Sequence, residues 1–185
     1  MSRSRAEYEA MLDKCIAFHG HLCMGQILGV RVAAKGMELA APATPRDIIV
    51  AVENERCIAD AVLTVTGTRI GRRTLKLHKY GKMAATFLNC TTGKAYRVRV
   101  EYRGPQPGDD EIAMREILGL SDEEVVAWDE VNFELPEFEQ PGRPKRIVDC
   151  SVCGEKVFDG KDVDGPHGPT CLACAQGAYY SIKVL

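Results

Sequence analysis

Apolar positions along this 185-residue chain repeat first at helical and then at strand spacing. Tyr8, Met11, Leu12, Cys15 and Phe18 predict an amphipathic helix over residues 5–18, with Cys15 on its apolar face. Ile27, Val30, Ala33, Ala34 and Met37 continue as a second helix over 25–39. Its glycines at 25, 29 and 36 suggest close packing against another backbone, and Ala41-Pro-Ala-Thr-Pro45 ends it. Ile48–Val52 is continuously apolar and largely β-branched, as expected of a buried strand. Asn54 can cap a third helix, whose buried stripe is Ile58, Ala61, Val62 and Val65. Residues 74–79, 83–89 and 95–102 read as strands, the last two joined by the hairpin signal Thr91-Thr-Gly93-Lys94. In the last strand Val98 and Val100 alternate with Arg97, Arg99 and Glu101, which gives it one wet face. The order α-α-β-α-β-β-β predicts an α+β domain over residues 1–103.

A connector is expected over 104–147. Gly104-Pro-Gln-Pro-Gly108 marks a linker, 109–118 and 121–128 read as short helices, and Ser121-Asp-Glu-Glu124 forms a capping box. Residues 133–144, with three prolines, read as extended chain. So long a connector in a small protein suits reach over a second copy, and a homodimer is the expectation. Residues 148–185 form a separate small domain.

Composition narrows the function. An apolar share of 45 % allows a real core, and no uncharged apolar run is long enough to span a membrane. The start, Met1-Ser-Arg-Ser-Arg-Ala-Glu-Tyr-Glu, lacks an apolar signal region, so a cytoplasmic protein is expected. Eight cysteines in a reducing compartment then argue for metal ligation over disulfides. Net charge is only −2, but Arg69–Arg103 holds ten Lys/Arg against one acid. Residues 104–149 hold thirteen Asp/Glu against four Lys/Arg, so the acidic connector can cover the basic sheet. Few aromatics interleave with the basic block and overall charge is acidic, which argues against nucleic acid.

Cys150-x-x-Cys153 and Cys171-x-x-Cys174, seventeen residues apart, have the spacing of a four-cysteine zinc site. Each C-x-x-C turn delivers two thiolates, and Gly154 suits the turn after the second. Four thiolates leave no open coordination position, so this zinc is structural. A segment this short buries too little apolar surface to fold unaided, and metal binding would supply its folding energy. His167 lies in the intervening loop and is not expected to ligate.

Phe18-His19-Gly20-His21-Leu22-Cys23-Met24-Gly25 is a second candidate centre. Imidazole and thiolate suit zinc, nickel, copper or iron over magnesium or calcium. If the stretch is extended, His19, His21 and Cys23 point to one side. Cys57 falls in the first turn of the third helix, where unpaired amides and the dipole favour a thiolate. The loop Thr66-Gly67-Thr68-Arg69-Ile70-Gly71-Arg72-Arg73 can hold an anion through Arg69 and Arg72, although it lacks P-loop spacing. Lys79 and Lys82 are further cations. Glu53, Glu55 or Asp60 can serve as a base or as partner to a histidine. No residue is singled out as catalytic.

Phe18-His-Gly-His-Leu-Cys23-x-Gly25, Val52-Glu-Asn54-x-x-Cys57-x-x-Asp60-Ala61, Thr66-Gly67 and Tyr80-Gly-Lys82-x-Ala-x-Thr-Phe87 resemble the FmdE/FwdE family of formylmethanofuran dehydrogenase proteins. The tail resembles the four-cysteine zinc-ribbon or treble-clef finger of DksA/TraR type that many members carry. The resemblance implies an FwdE/GAPDH-domain-like α+β fold and an N-terminal metal site drawn from His19, His21, Cys23 and Cys57. That site would take Zn2+, Ni2+ or Fe2+. It also implies association with the molybdenum or tungsten oxidoreductase that reduces carbon dioxide onto methanofuran, a step related to methanogenesis. The chain departs from the family at Met24, where proline is common, and at Thr68, where a cysteine is absent. Two functions are expected from this: a metal-binding accessory protein of such an oxidoreductase, or a stand-alone metalloenzyme with an open His/Cys site for a small anion.

Overall fold

Helix α1 (Arg5–His19) starts where Ser4 and Glu7 close a reciprocal capping box. It stops at Gly20, whose φ of 96° is left-handed and releases the chain into a tight turn. These and all other coordinates come from a computed structural model that describes residues 3–108 and 110–183. The chain divides into two compact units, residues 1–134 and 135–185.

In the first unit α1 is followed by α2 (Met24–Ala40), β1 (Ile48–Val52), α3 (Cys57–Thr66), β2 (Leu75–Leu77), β3 (Ala84–Asn89) and β4 (Ala95–Val100). The order is the α+β arrangement that the sequence predicts. Helix α4 (Glu111–Glu116), the short helix α5 (Asp122–Val125) and β5 (Val126–Val131) complete the unit. The five strands form one sheet in the order β2-β1-β3-β4-β5, parallel only between β1 and β2. β1 is buried along its whole length, as its apolar run requires.

Residues 104–134 therefore belong to the first unit and not to a separate connector. β5 supplies the partner that the outer edge of β4 needs, with Val98 opposite Trp128 and Arg97 opposite Asp129. The predicted helix over 121–128 lasts four residues; its capping box forms, but Val126 and Trp128 favour the sheet. The predicted helix over 109–118 is α4, capped by Asp110, followed by a 3-10 turn over Ile117–Gly119; Asp109 lies outside the described residues. Charge follows the expected cover: Arg99 of β4 pairs with Asp129 of β5 and with Glu101.

A buried charge cluster fastens this added layer to α2. Arg31, fully buried, donates to Asp122 Oδ1 at 2.9 Å and to the Ile117 carbonyl at 2.9 Å. Lys35 Nζ lies 3.1 Å from Asp122 Oδ2, and the Tyr8 hydroxyl donates to Oδ1 at 3.0 Å. Burial opposes ionisation of Asp122, but the donors from Arg31, Lys35 and Tyr8 outweigh it and hold the carboxyl below its ordinary range.

The close approach that the sequence anticipates is to helix α3 at Gly29, while at Gly36 it is to a side chain. A Cβ at Gly29 would stand 2.6 Å from Ala61 Cβ of α3, and one at Gly36 would enter the Phe87 ring. In the second unit two β-hairpins precede α6 (Leu172–Gln176). They are β6 (Ile147–Asp149) with β7 (Lys156–Phe158), and β8 (Asp162–Gly165) with β9 (Gly168–Cys171).

Gly36→Ala tests the packing of α2. Alanine gains about 1 kcal/mol of helix propensity, yet overpacking against Phe87 costs up to about 3 kcal/mol. A net loss of about 2 kcal/mol in urea unfolding is expected, and an unchanged midpoint would contradict the packing described.

Candidate metal centre

Three helix ends converge on one point of the first unit. His19 is the last residue of α1, Cys23 is the N-cap of α2, and Cys57 is the first residue of α3. The turn at Gly20 brings the first two together, and the buried strand β1 aims the chain at Cys57. One ligand atom each of His19, Cys23 and Cys57 lies within 4.8 Å of the others. Two helix N-termini face the sulfurs, which favours thiolates there. Gly25 permits this approach, because a Cβ there would sit 2.7 Å from Cys57 Cβ.

His21 stands outside the cluster, although its ring packs 4.6 Å from that of His19. The reason is local: α1 runs through His19 and Gly20 turns left-handed, so the alternation of an extended strand does not apply. Asn54 also takes another role. The N-cap of α3 is Arg56, and the Asn54 side-chain oxygen accepts from the Arg56 amide at 3.1 Å.

His19 Nδ1 lies 2.8 Å from Asp60 Oδ2, while its Nε2 is buried without a hydrogen-bond partner. A carboxylate on Nδ1 selects the tautomer whose Nε2 lone pair is free to ligate. Burial, followed by the neighbouring Cys23 sulfur, pushes the Cys57 thiol up. A cation among the three groups removes that penalty and gives the bare nitrogen a partner. The donor set thus fits a transition metal held by one nitrogen and two sulfurs, with no fourth ligand in the group among the described residues. Cys15 does not take part: it is fully buried, and burial raises its thiol to about 11.

The proposed anion residues are dispersed. Arg69 Nη1 donates to the carbonyls of Leu63 (3.2 Å) and Thr68 (2.7 Å), and so is tied to its own loop. Arg72 and Lys82 are exposed. Thr68 is buried with its hydroxyl 2.8 Å from that of Thr66. Glu53 is engaged by Arg97 through bonds of 2.6 and 2.8 Å, which hold its carboxyl below the ordinary range. It is therefore an anchor for β4 and a poor free base. A cavity of about 220 Å³ opens immediately before Cys57, lined by Asn54, Glu55, Arg56, Lys79 and Gly81. The sequence pattern gave no sign of Arg56, which lines this cavity together with Lys79 and Gly81 of the loop after β2. Gln26 gave none either. It is an ordinary polar residue by spacing, yet its Nε2 donates to the Cys57 carbonyl at 2.7 Å.

In the second unit the sulfurs of Cys150, Cys153, Cys171 and Cys174 lie within 4.8 Å of one another. The Cys171 amide, 3.3 Å from the Cys150 sulfur, and the Cys153 and Val152 amides lower the Cys150 thiol to about 6. The crowding sulfurs of Cys171 and Cys153 raise Cys174 to about 12. Four sulfurs that cannot all ionise unaided fit one tetrahedral cation such as zinc. His167 is exposed and outside this group.

The family model described as "FmdE, Molybdenum formylmethanofuran dehydrogenase operon" matches residues 18–130. A solved structure of a tungsten formylmethanofuran dehydrogenase FmdE-like protein from Syntrophus aciditrophicus shares this fold. It has a TM-score of 0.68 at 23 % identity, with 98 % of this chain and 100 % of that chain covered. A "Probable S-adenosyl-L-methionine-binding protein" of Archaeoglobus fulgidus is 29 % identical over 206 aligned residues. That match takes in 93 % of this chain and 54 % of the archaeal protein, so the chain spans about half the length of that relative.

Asp60→Asn should weaken metal binding at the N-terminal centre about 10- to 100-fold, since the histidine loses its orienting carboxylate. Competition against a chelator measures this, and the four-cysteine group should be unaffected. Equal loss at both groups would contradict the role given to Asp60.

Proposed function

Because the chain belongs to the FmdE family, we propose that it is a metal-binding accessory protein of a molybdenum or tungsten oxidoreductase of formylmethanofuran-dehydrogenase type. The observation that carries this reading is the meeting of His19, Cys23 and Cys57 at three helix ends. These residues would hold zinc, nickel or iron, and Cys150, Cys153, Cys171 and Cys174 a structural zinc. A homodimer in the cytoplasm is the proposed working form.

When bound, the N-terminal ion supplies Lewis acidity at a position that the protein leaves free. The chain's own residues do the rest. Asp60 keeps the His19 proton on Nδ1, Gly25 lets the two cysteines approach, and the N-termini of α2 and α3 favour negative charge beside them. S-adenosyl-L-methionine is left with the longer archaeal relative, whose name concerns a protein only half matched here.

A second reading is a stand-alone metalloenzyme for a small anionic substrate. The cavity beside Cys57 favours it, since Arg56 and Lys79 both line it and only Glu55 opposes them in charge. Lys82, next to Gly81 in the chain, would extend that field, whereas Arg72 precedes β2 and lies at the other end of the sheet.

Sedimentation velocity of the metal-loaded chain mixed with a purified molybdenum formylmethanofuran dehydrogenase tests the choice. The accessory reading expects a faster-sedimenting complex that forms with the wild type. Two independent boundaries at micromolar concentration would contradict it and turn the search to small anionic substrates.

A further inference from the structure

Gln26 holds an oxygen with no donor. The residue lies in the first turn of α2, three positions after Cys23, and none of its surface is exposed. Its Nε2 is fixed by the Cys57 carbonyl at 2.7 Å, yet its Oε1 is buried without a hydrogen-bond partner. The bond to the carbonyl also fixes which end of the amide is the oxygen, because the reverse orientation would set two acceptors together. An unpaired buried amide oxygen costs about 1–3 kcal/mol, and native interiors rarely retain one without a use.

A second bare atom belongs to a residue of the same centre. His19 Nε2 is buried and unpartnered as well, and it calls for a cation. Gln26 is tied to one ligand residue, Cys57, and its neighbour Gly25 lies against the sulfurs of both cysteines. The two bare atoms therefore want complementary things, an electron-pair acceptor for His19 and a hydrogen-bond donor for Gln26. A ligand in the fourth position that carries an N–H or O–H meets the second need while the metal meets the first.

We infer that Gln26 is a positioning and specificity-determining residue, whose Oε1 accepts a hydrogen bond from the ligand in the open position. This rests on the metal-binding reading of His19, Cys23 and Cys57. It gives the ligand a class: groups with a hydrogen-bond donor on or beside the coordinating atom, in preference to donor-free anions. The Nε2 bond to Cys57 is a separate, structural task of the same side chain.

Cobalt(II) bound to the full-length chain tests the inference. Subtracting the spectrum of the cobalt-loaded Cys57→Ala variant removes the four-cysteine contribution. The remaining bands are titrated with acetohydroxamate, which bears an N–H beside its coordinating oxygens, and with azide, which bears no hydrogen. Two variants separate the tasks of Gln26. Gln26→Met loses both the donor to the Cys57 carbonyl and the acceptor, whereas Gln26→Glu keeps an acceptor. The expected result is an acetohydroxamate affinity about tenfold weaker in Gln26→Met. Gln26→Glu should retain it, and azide affinity should stay within about twofold throughout. If both ligands weaken alike in both variants, Gln26 is only a clamp and the inference is overturned. Unchanged affinities in Gln26→Met overturn it equally. Loss of every Cys57-dependent band in the wild type would instead refute the metal reading itself, and this inference with it.

Discussion

The backbone of α2 must approach α3 closely, and the centre exists only because it does. A side chain at Gly25 or Gly29 would collide with Cys57 or Ala61, so the two helices could not bring their N-termini to one point. At that point Cys23 and Cys57 face each other with a helix dipole behind each. α1 adds the third group from its opposite end, where Gly20 stops the helix immediately after His19. Metal affinity here is thus a property of helix packing. His19 and Cys23 are close in the chain, but Cys57 comes from more than thirty residues further on and joins them only in the folded state, which couples binding to folding.

The same helix carries the second constraint. Arg31 and Lys35 of α2 are taken out of water and need an anion, which Asp122 of the following segment supplies. Removing one partner of such a buried group leaves a charge unpaired, so the cluster commits residues 111–131 to this surface. The segment then continues as β5 and closes the open edge of β4. In this way an acidic stretch with linker-like composition becomes part of the domain that holds the centre. The four-cysteine group is organised differently: its hairpins are short, and its four gathered sulfurs suit a cation.

Much of this was legible in the sequence. The helical spacing of Tyr8, Leu12 and Cys15, the apolar run Ile48–Val52 and the two C-x-x-C pairs each imply their structure by period or by chemistry alone. The three helix glycines announced a close approach without saying to what. What escaped was decided by pairing at a distance. β5 was hidden because Asp129 and Glu130 resemble a solvated face until Arg97 stands opposite Asp129 and Arg99 pairs with it. His21 shares the ligand-rich stretch, yet Gly20 turns the chain there and His21 stands outside the group of His19, Cys23 and Cys57. Gln26 and Arg56 carried no local signal, since their significance comes from what Cys57 brings beside them.

Metal content per chain, by mass spectrometry on protein prepared without added chelator, tests the central claim most directly. The account predicts two ions per wild-type chain and one in Cys57→Ala, with the remaining ion at the four-cysteine group. One ion per chain in both would contradict it, and His19, Cys23 and Cys57 would then be packing residues at a helix junction.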